Sequence, residues 1–185
     1  MIGETVTDFR GLWDRALRFD AFVAASAEHG ALWSAVHRLA RLPDWAAAAA
    51  TAAPRRRFLV LAEDWCGDAS NTIPVLDRWA ALGEGLELRI LRRDEHPAVM
   101  DRYLTNGSRS IPIVIALDEG FAEVGHWGPR PAPLQAWVMA HRGTMPKDEL
   151  YPRIRAWYAR DRGETTLREV AAAAGIALPE REKVA

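Results

Sequence analysis

Two short apolar runs, "FLVLAE" (Phe58 to Glu63) and "LELRIL" (Leu86 to Leu91), constrain this chain more than any other feature. Both read as buried strands, and the helical stretch between them has the length of a right-handed crossover joining parallel neighbours. A second helix is expected from about Pro97 to Leu104, ending at the turn signal Asn106-Gly107. "IPIVIALD" and "FAEVGHW" then flank Asp118-Glu119-Gly120, the pattern of an antiparallel hairpin. The order strand, helix, strand, helix, strand, strand, helix predicts an α/β fold with a mixed sheet.

Helical patterns lie on either side of this middle zone. Phe9, Leu12, Trp13, Ala16 and Leu17 fall on one helix stripe, and Leu32, Val36, Leu39 and Ala40 on another. Pro43 stops the second, the alanines from 46 to 50 suggest a further short helix, and Pro54 closes the segment. Toward the other end, Leu150, Ile154, Trp157 and Tyr158 share a face, and Thr166 with Glu169 reads as a capping box for a last helix ending at Gly175. A chain of 185 residues, 49% hydrophobic, buries roughly two thirds of its unfolded surface, enough for one domain. The expectation is a single domain over 1–185: a helical N-terminal extension (1–54), an α/β core (55–142) and a helical C-terminal extension (143–185).

The 24 basic against 25 acidic residues leave a net charge of −1, which gives no general affinity for nucleic acid. Arg55 to Arg57 read as a solvated strand entrance. The start "MIGETVTDFRGLWDR" lacks the basic-then-apolar pattern of a secretion signal, and no uncharged apolar stretch approaches about 18 residues, so no membrane partner is expected. A single cysteine, Cys66, excludes an intrachain disulfide framework; the cytoplasm, a reducing compartment, is the expected location.

The topology gathers four loops at one sheet edge: Asp64 to Asp68, Arg92 to Glu95, Arg109 to Pro112 and Trp127 to Pro131. This is where open α/β sheets bind ligands. Cys66 stands in the first loop, at the start of the following helix, where unpaired amides and the helix dipole favour thiolate over thiol. Glu63, Asp64 and Asp68 oppose that effect, whereas Arg109 and Arg130 are placed to offset them, so a modest depression of its pKa is expected. A lone cysteine is otherwise most often a small buried hydrophobe.

Other residues are weighed in the same way. The histidines His29, His37, His96, His126 and His141 show no metal-ligand spacing. His126 sits beside Trp127 as a possible base or, more simply, as a surface residue of a strand. "WGPRP" reads equally as a rigid loop aiming Arg130 at an anion and as a helix start. Of the eight tryptophans, Trp65 and Trp127 lie where they would touch a ligand.

A strand, then "W-C-G-x-x" opening a helix, Pro74 eight residues beyond the cysteine, and Ile111-Pro112 before an antiparallel strand together resemble the thioredoxin superfamily. More narrowly, "WCGDA", "YLTNGSRSIP", "WGPRP" and "WYARDRG" resemble a bacterial branch of thioredoxin family proteins. The resemblance implies a thioredoxin-like fold, a cis Ile111–Pro112 bond facing Cys66, and pairing of an extended substrate with the backbone there. The chain departs from the family pattern at two points: Ala69 stands where the resolving cysteine belongs, and Val60 where many members carry a buried acid.

Two functions follow. In the first, Cys66 is the nucleophile of a monothiol redox protein that forms mixed disulfides with protein or small-molecule thiols, or a sulfenic acid under peroxide, the resolving thiol being external and no cofactor or metal being held. Trp65, Gly67, Asp68, Arg109, Ile111, Pro112, Trp127 and Arg130 would line its substrate site. In the second, a non-catalytic module holds an extended peptide on Trp65, Ile111, Pro112 and Trp127. A shared iron-sulfur cluster ranks low, because "CGDA" fits monothiol glutaredoxins poorly.

Overall fold

A computed structural model describes residues 7–178. The chain opens with short helices α1 (Phe9–Arg15), α2 (Phe19–Ala24), α3 (Gly30–Leu39) and α4 (Trp45–Ala52). The core follows with β1 (Arg56–Ala62), α5 (Gly67–Ala80), β2 (Leu86–Arg92), a 3-10 turn at Arg93–Glu95, α6 (Pro97–Met100), β3 (Ile113–Leu117) and β4 (Glu123–Trp127). It ends with α7 (Ala132–His141), α8 (Lys147–Asp161) and α9 (Glu164–Ala173).

The strands form one sheet in the order β2-β1-β3-β4. β1 and β2 are parallel, with Val60 opposite Ile90, while β1–β3 and β3–β4 are antiparallel. Both apolar runs are therefore strands joined by a helical crossover, and the second pair is a hairpin as predicted. The hairpin turn is longer than its Asp-Glu-Gly core, because Phe121 adopts a positive φ of 66° and the ladder slips between Ala116 and Leu117. The predicted helix after Pro97 closes after one turn at Met100, and the Asn106-Gly107 turn forms with both residues at positive φ.

Alternation along the strands sets the two faces of the sheet. Phe58 stacks on Trp79 of α5, and Gly125 of β4 meets α9, so α5 and α9 cover one face. Arg57 and Arg89 point to the other, where Trp13 of α1 lies beneath both guanidinium groups. The central strands β1 and β3 are almost wholly buried between these layers. A smaller apolar cluster, Leu134 and Val138 of α7 with Leu150, Ile154 and Tyr158 of α8, bears out the face expected for the C-terminal helix.

Leu17, expected on a helix stripe, instead lies beyond the end of α1 and pairs as a single-residue bridge with Ile90, exchanging N–H···O bonds of 2.9 and 2.8 Å. It caps the free edge of β2, the job an additional strand would do. The stripe Leu32, Val36, Leu39, Ala40 is core only in part: Val36 and Ala40 are half-buried against it. Trp33 is the buried anchor of α3, while Leu32 and Leu39 are 42% and 70% exposed. Periodicity reveals that a helix has an apolar side, but Trp33, with roughly twice the surface of a leucine, decides which side turns inward.

The expected capping box also fails. Gly163, at φ 82°, caps α9; Thr166 is buried inside the helix, and Glu169 bonds elsewhere. Arg55 to Arg57 do sit at the strand entrance, where Arg56 donates to the Ala174 carbonyl and Arg57 to those of Asp118 and Glu119. No described helix is long and apolar enough to cross a membrane.

The contact of β4 with α9 leaves no room for a side chain, since a Cβ on Gly125 would lie 2.4 Å from the Ala173 carbonyl oxygen. Gly125→Ala is expected to destabilise the fold by about 1–3 kcal/mol in urea unfolding, as overpacking against an unyielding backbone does.

Candidate functional site

The four loops meet at the predicted edge, and specific bonds hold each to its neighbour. The Asp94 amide donates to Glu63 Oε1 at 2.8 Å, and Arg92 lies 3.6 Å from both the Glu63 and Asp64 carboxylates. Arg93 donates to the Arg109 carbonyl at 3.0 Å while its guanidinium lies 5.1 Å above the Trp65 ring. Gly128, at φ 136°, brings the fourth loop against the third so closely that a Cβ there would sit 2.1 Å from the Pro112 oxygen. Only glycine fits that approach.

Cys66 is the residue immediately before α5, and Sγ lies 3.6 Å from the Ile111 carbonyl oxygen, to which the thiol donates. The Ile111–Pro112 peptide is cis, as is Gly128–Pro129. Ile111 and Pro112 are buried, Gly67 is exposed, and Trp65 is 43% exposed at the mouth of the site.

Asp68, in the first turn of α5, is held from two sides. Arg130 Nη2 lies 2.6 Å from Oδ2, and the Tyr158 hydroxyl donates to Oδ1 at 2.9 Å. Arg130 also donates to Gln135 Oε1 at 3.0 Å, whereas its Nε is buried with no acceptor among the described residues. Both readings of "WGPRP" are met: Arg130 reaches an anion, the chain's own Asp68, and Pro131 is the residue that opens α7. So Val60 is apolar and fully buried, but a buried carboxylate stands near the thiol from a different position in the sequence.

Cys66 is 7% exposed, and the thiol is pushed up to about 11. Desolvation is the main cause, and the Asp68 charge adds to it; the Ala69 and Asp68 amides and the Arg130 guanidinium pull the other way without prevailing. This corrects the expected depression. The helix terminus acts as anticipated, but a thiolate in that position loses more solvation than two amides restore. The expected counter-charge from Arg109 is missing too. That residue is exposed and bound bidentately to Asp101 at 2.6 and 2.8 Å, an ion pair that raises the Arg109 pKa and lowers that of Asp101.

Trp127 is also placed differently from its expectation. It is 7% exposed, and its indole N–H donates to Glu169 Oε2 of α9 at 2.7 Å. His126, on the opposite face of the strand, bonds Glu123 Oε1 at 3.0 Å and meets the Tyr103 ring edge-on. The structure thus brings together Trp65, Cys66, Gly67, Asp68, Ile111, Pro112 and Arg130. Among the described residues, no group of three His, Cys, Asp or Glu side chains could hold a metal ion.

Sequence reasoning missed two contributors. Tyr158 appeared only as part of a helix face, and nothing local marks its hydroxyl as the partner of Asp68, ninety positions away. Asp64 anchors the N-terminal extension: Oδ2 accepts from the Ala27 amide at 2.7 Å, and its carbonyl accepts from Trp33 Nε1 at 3.0 Å. Burial pushes the Asp64 carboxyl up, but the Ala27 and Glu28 amides and Arg92 outweigh it and hold the group below the usual carboxylate range.

A family model described as thioredoxin matches residues 16–147. Among solved structures, a protein of unknown function from Pseudomonas aeruginosa, PA1234, aligns with a TM-score of 0.73 at 23% identity, covering 91% of this chain and 98% of that one. An HIV epitope-scaffold of the 4E10 series aligns with a TM-score of 0.72 at 23% identity, covering 92% of this chain and 100% of the other. No curated protein matches significantly. The mixed sheet flanked by helices, the cysteine at the head of α5 and the family match over most of the sequence lead to one conclusion: the chain belongs to the thioredoxin family.

Proposed function

We propose that this chain is a thioredoxin-fold thiol protein in which Cys66 exchanges mixed disulfides with external thiols, held in reserve by burial until the loops around it part. The observation that carries this reading is the placement of Sγ at the head of α5, 3.6 Å from the Ile111 carbonyl. There the Asp68 and Ala69 amides favour the thiolate once it forms. The Cys66 thiolate attacks a disulfide R–S–S–R′, forming Cys66–S–S–R and releasing R′–S⁻. A second thiolate, R″–S⁻, attacks the mixed disulfide, giving R–S–S–R″ and returning the Cys66 thiolate. The proton lost by R″–SH is taken up by R′–S⁻, so the cycle balances without a second cysteine in the chain.

A second reading rests on the burial itself. With the pKa near 11, about one Cys66 in 10⁴ is ionised at pH 7. Such a thiol serves as a hydrogen-bond donor that steadies Ile111, and a peptide held at Trp65, Ile111 and Pro112 would be bound without turnover.

Slow alkylation is common to both, and exchange with a disulfide separates them. Iodoacetamide labelling of native Cys66 is expected to be at least about 100-fold slower at pH 7 than that of free cysteine, and to rise about tenfold per pH unit up to pH 11. Incubation with glutathione disulfide is expected to add one glutathione that DTT removes. Failure to form that adduct in the folded protein, while the unfolded chain forms it, would leave only the binding reading.

The raised pKa also bears on stability. A thiol whose pKa is higher folded than unfolded contributes its full stability below the unfolded value and loses it as pH rises through the folded one. The stability advantage of wild type over Cys66→Ala is therefore expected to shrink by about 2 kcal/mol between about pH 8.5 and 11, measured by urea unfolding.

Ala69→Cys restores a second thiol one turn along α5. It is expected to confer DTT-dependent insulin reduction on a protein that otherwise lacks it; a folded variant with no gain would show that the loops do not admit a protein disulfide.

A further inference from the structure

The outward stripe of α3 has a counterpart. Leu32, Val36 and Leu39 form one wall of a cleft of about 640 Å³, with Val75 of α5 and Tyr158 of α8 on the other side. That volume lies in the range of small-ligand sites. Two cations line it, Arg41 just beyond α3 and Arg162 at the end of α8, and no acidic side chain does. Among the described residues neither arginine makes an ion pair.

The segments that follow α3 and α8 meet, since the Trp45 indole, four positions beyond Arg41, donates to Glu164 Oε1, two positions beyond Arg162, at 3.1 Å. Of the carboxylates nearby in the sequence, Glu164 pairs with Arg168 and accepts from Trp45, while Asp161, which does not line the cleft, accepts from the Thr165 amide. The carbonyl ends of α3 and α8 also point here, but each carries only about half a negative charge, against two full positive ones. Gly163 packs onto α5 so closely that a Cβ would lie 2.6 Å from Val75 Cγ1.

We infer that this cleft binds an amphiphilic carboxylate, its chain against Leu32, Val36 and Leu39 and its head group at Arg41 and Arg162. Burying the chain supplies the affinity, at about 0.8 kcal/mol per methylene, and the arginines select the sign of the head group. The site is separate from the thiol and does not depend on its chemistry, although Tyr158, whose ring borders the cleft, holds Asp68 beside Cys66.

Calorimetric titration of the full chain with sodium laurate, and in parallel with dodecyltrimethylammonium, tests the assignment, with methyl NMR reporting Val36 and Val75. Laurate is expected to bind one to one and shift both methyls, and the cationic amphiphile to bind at least about tenfold more weakly. Arg41→Ala with Arg162→Asn, the asparagine chosen because it tolerates the positive φ of 53° at Arg162, is expected to weaken laurate at least about tenfold with the melting temperature unchanged. Equal affinity for both head groups, or no methyl shift with laurate up to about 1 mM, would overturn the proposal. So would light scattering that finds a dimer which Leu39→Asp dissolves, since the face would then join two copies of the chain.

Discussion

The ion pair between Arg130 and Asp68, closed on its far side by the Tyr158 hydroxyl, is the contact on which the site depends. It joins the head of α5 to the loop before α7 and to the C-terminal helix α8, three segments that share no strand. A buried carboxylate left alone would cost several kcal/mol, so removing its partners is destabilising. Their arrangement also explains the thiol. Asp68 brings negative charge to Cys66 and Arg130 returns positive charge, but desolvation is the largest influence and decides the outcome.

The N-terminal extension completes the enclosure. Asp64 draws the segment between α2 and α3 onto the loop that carries Cys66, and Trp33 locks its backbone from below. Leu17 closes the edge of β2 with two hydrogen bonds, where the described residues supply no further strand. The extension is thus part of the sheet's boundary and of the site's wall.

The layout of the core could be read from local pattern. "FLVLAE", "LELRIL" and "IPIVIALD" are strands because a run buried on both faces has few other options, and Asn106-Gly107 turns because both residues accept positive φ. The convergence of the four loops followed from strand direction alone. What could not be read was which groups within those loops would find each other. Arg109 and Arg130 looked equivalent, yet Arg109 is eight residues from Asp101 and pairs locally, while Arg130 crosses to Asp68. Thr166 and Glu169 matched a capping pattern, but Glu169 is drawn instead to the Trp127 indole and the Ala132 amide.

By itself, then, the sequence determined the strands and their directions, the position of Cys66 at the head of a helix and the edge where the four loops converge, because these depend on periodicity and chain direction. Tertiary packing alone decided the protonation of the thiol, the partners of Asp68 and the outward turn of the α3 stripe. Those depend on how much water is removed from each group and on which side chains, distant in sequence, replace it.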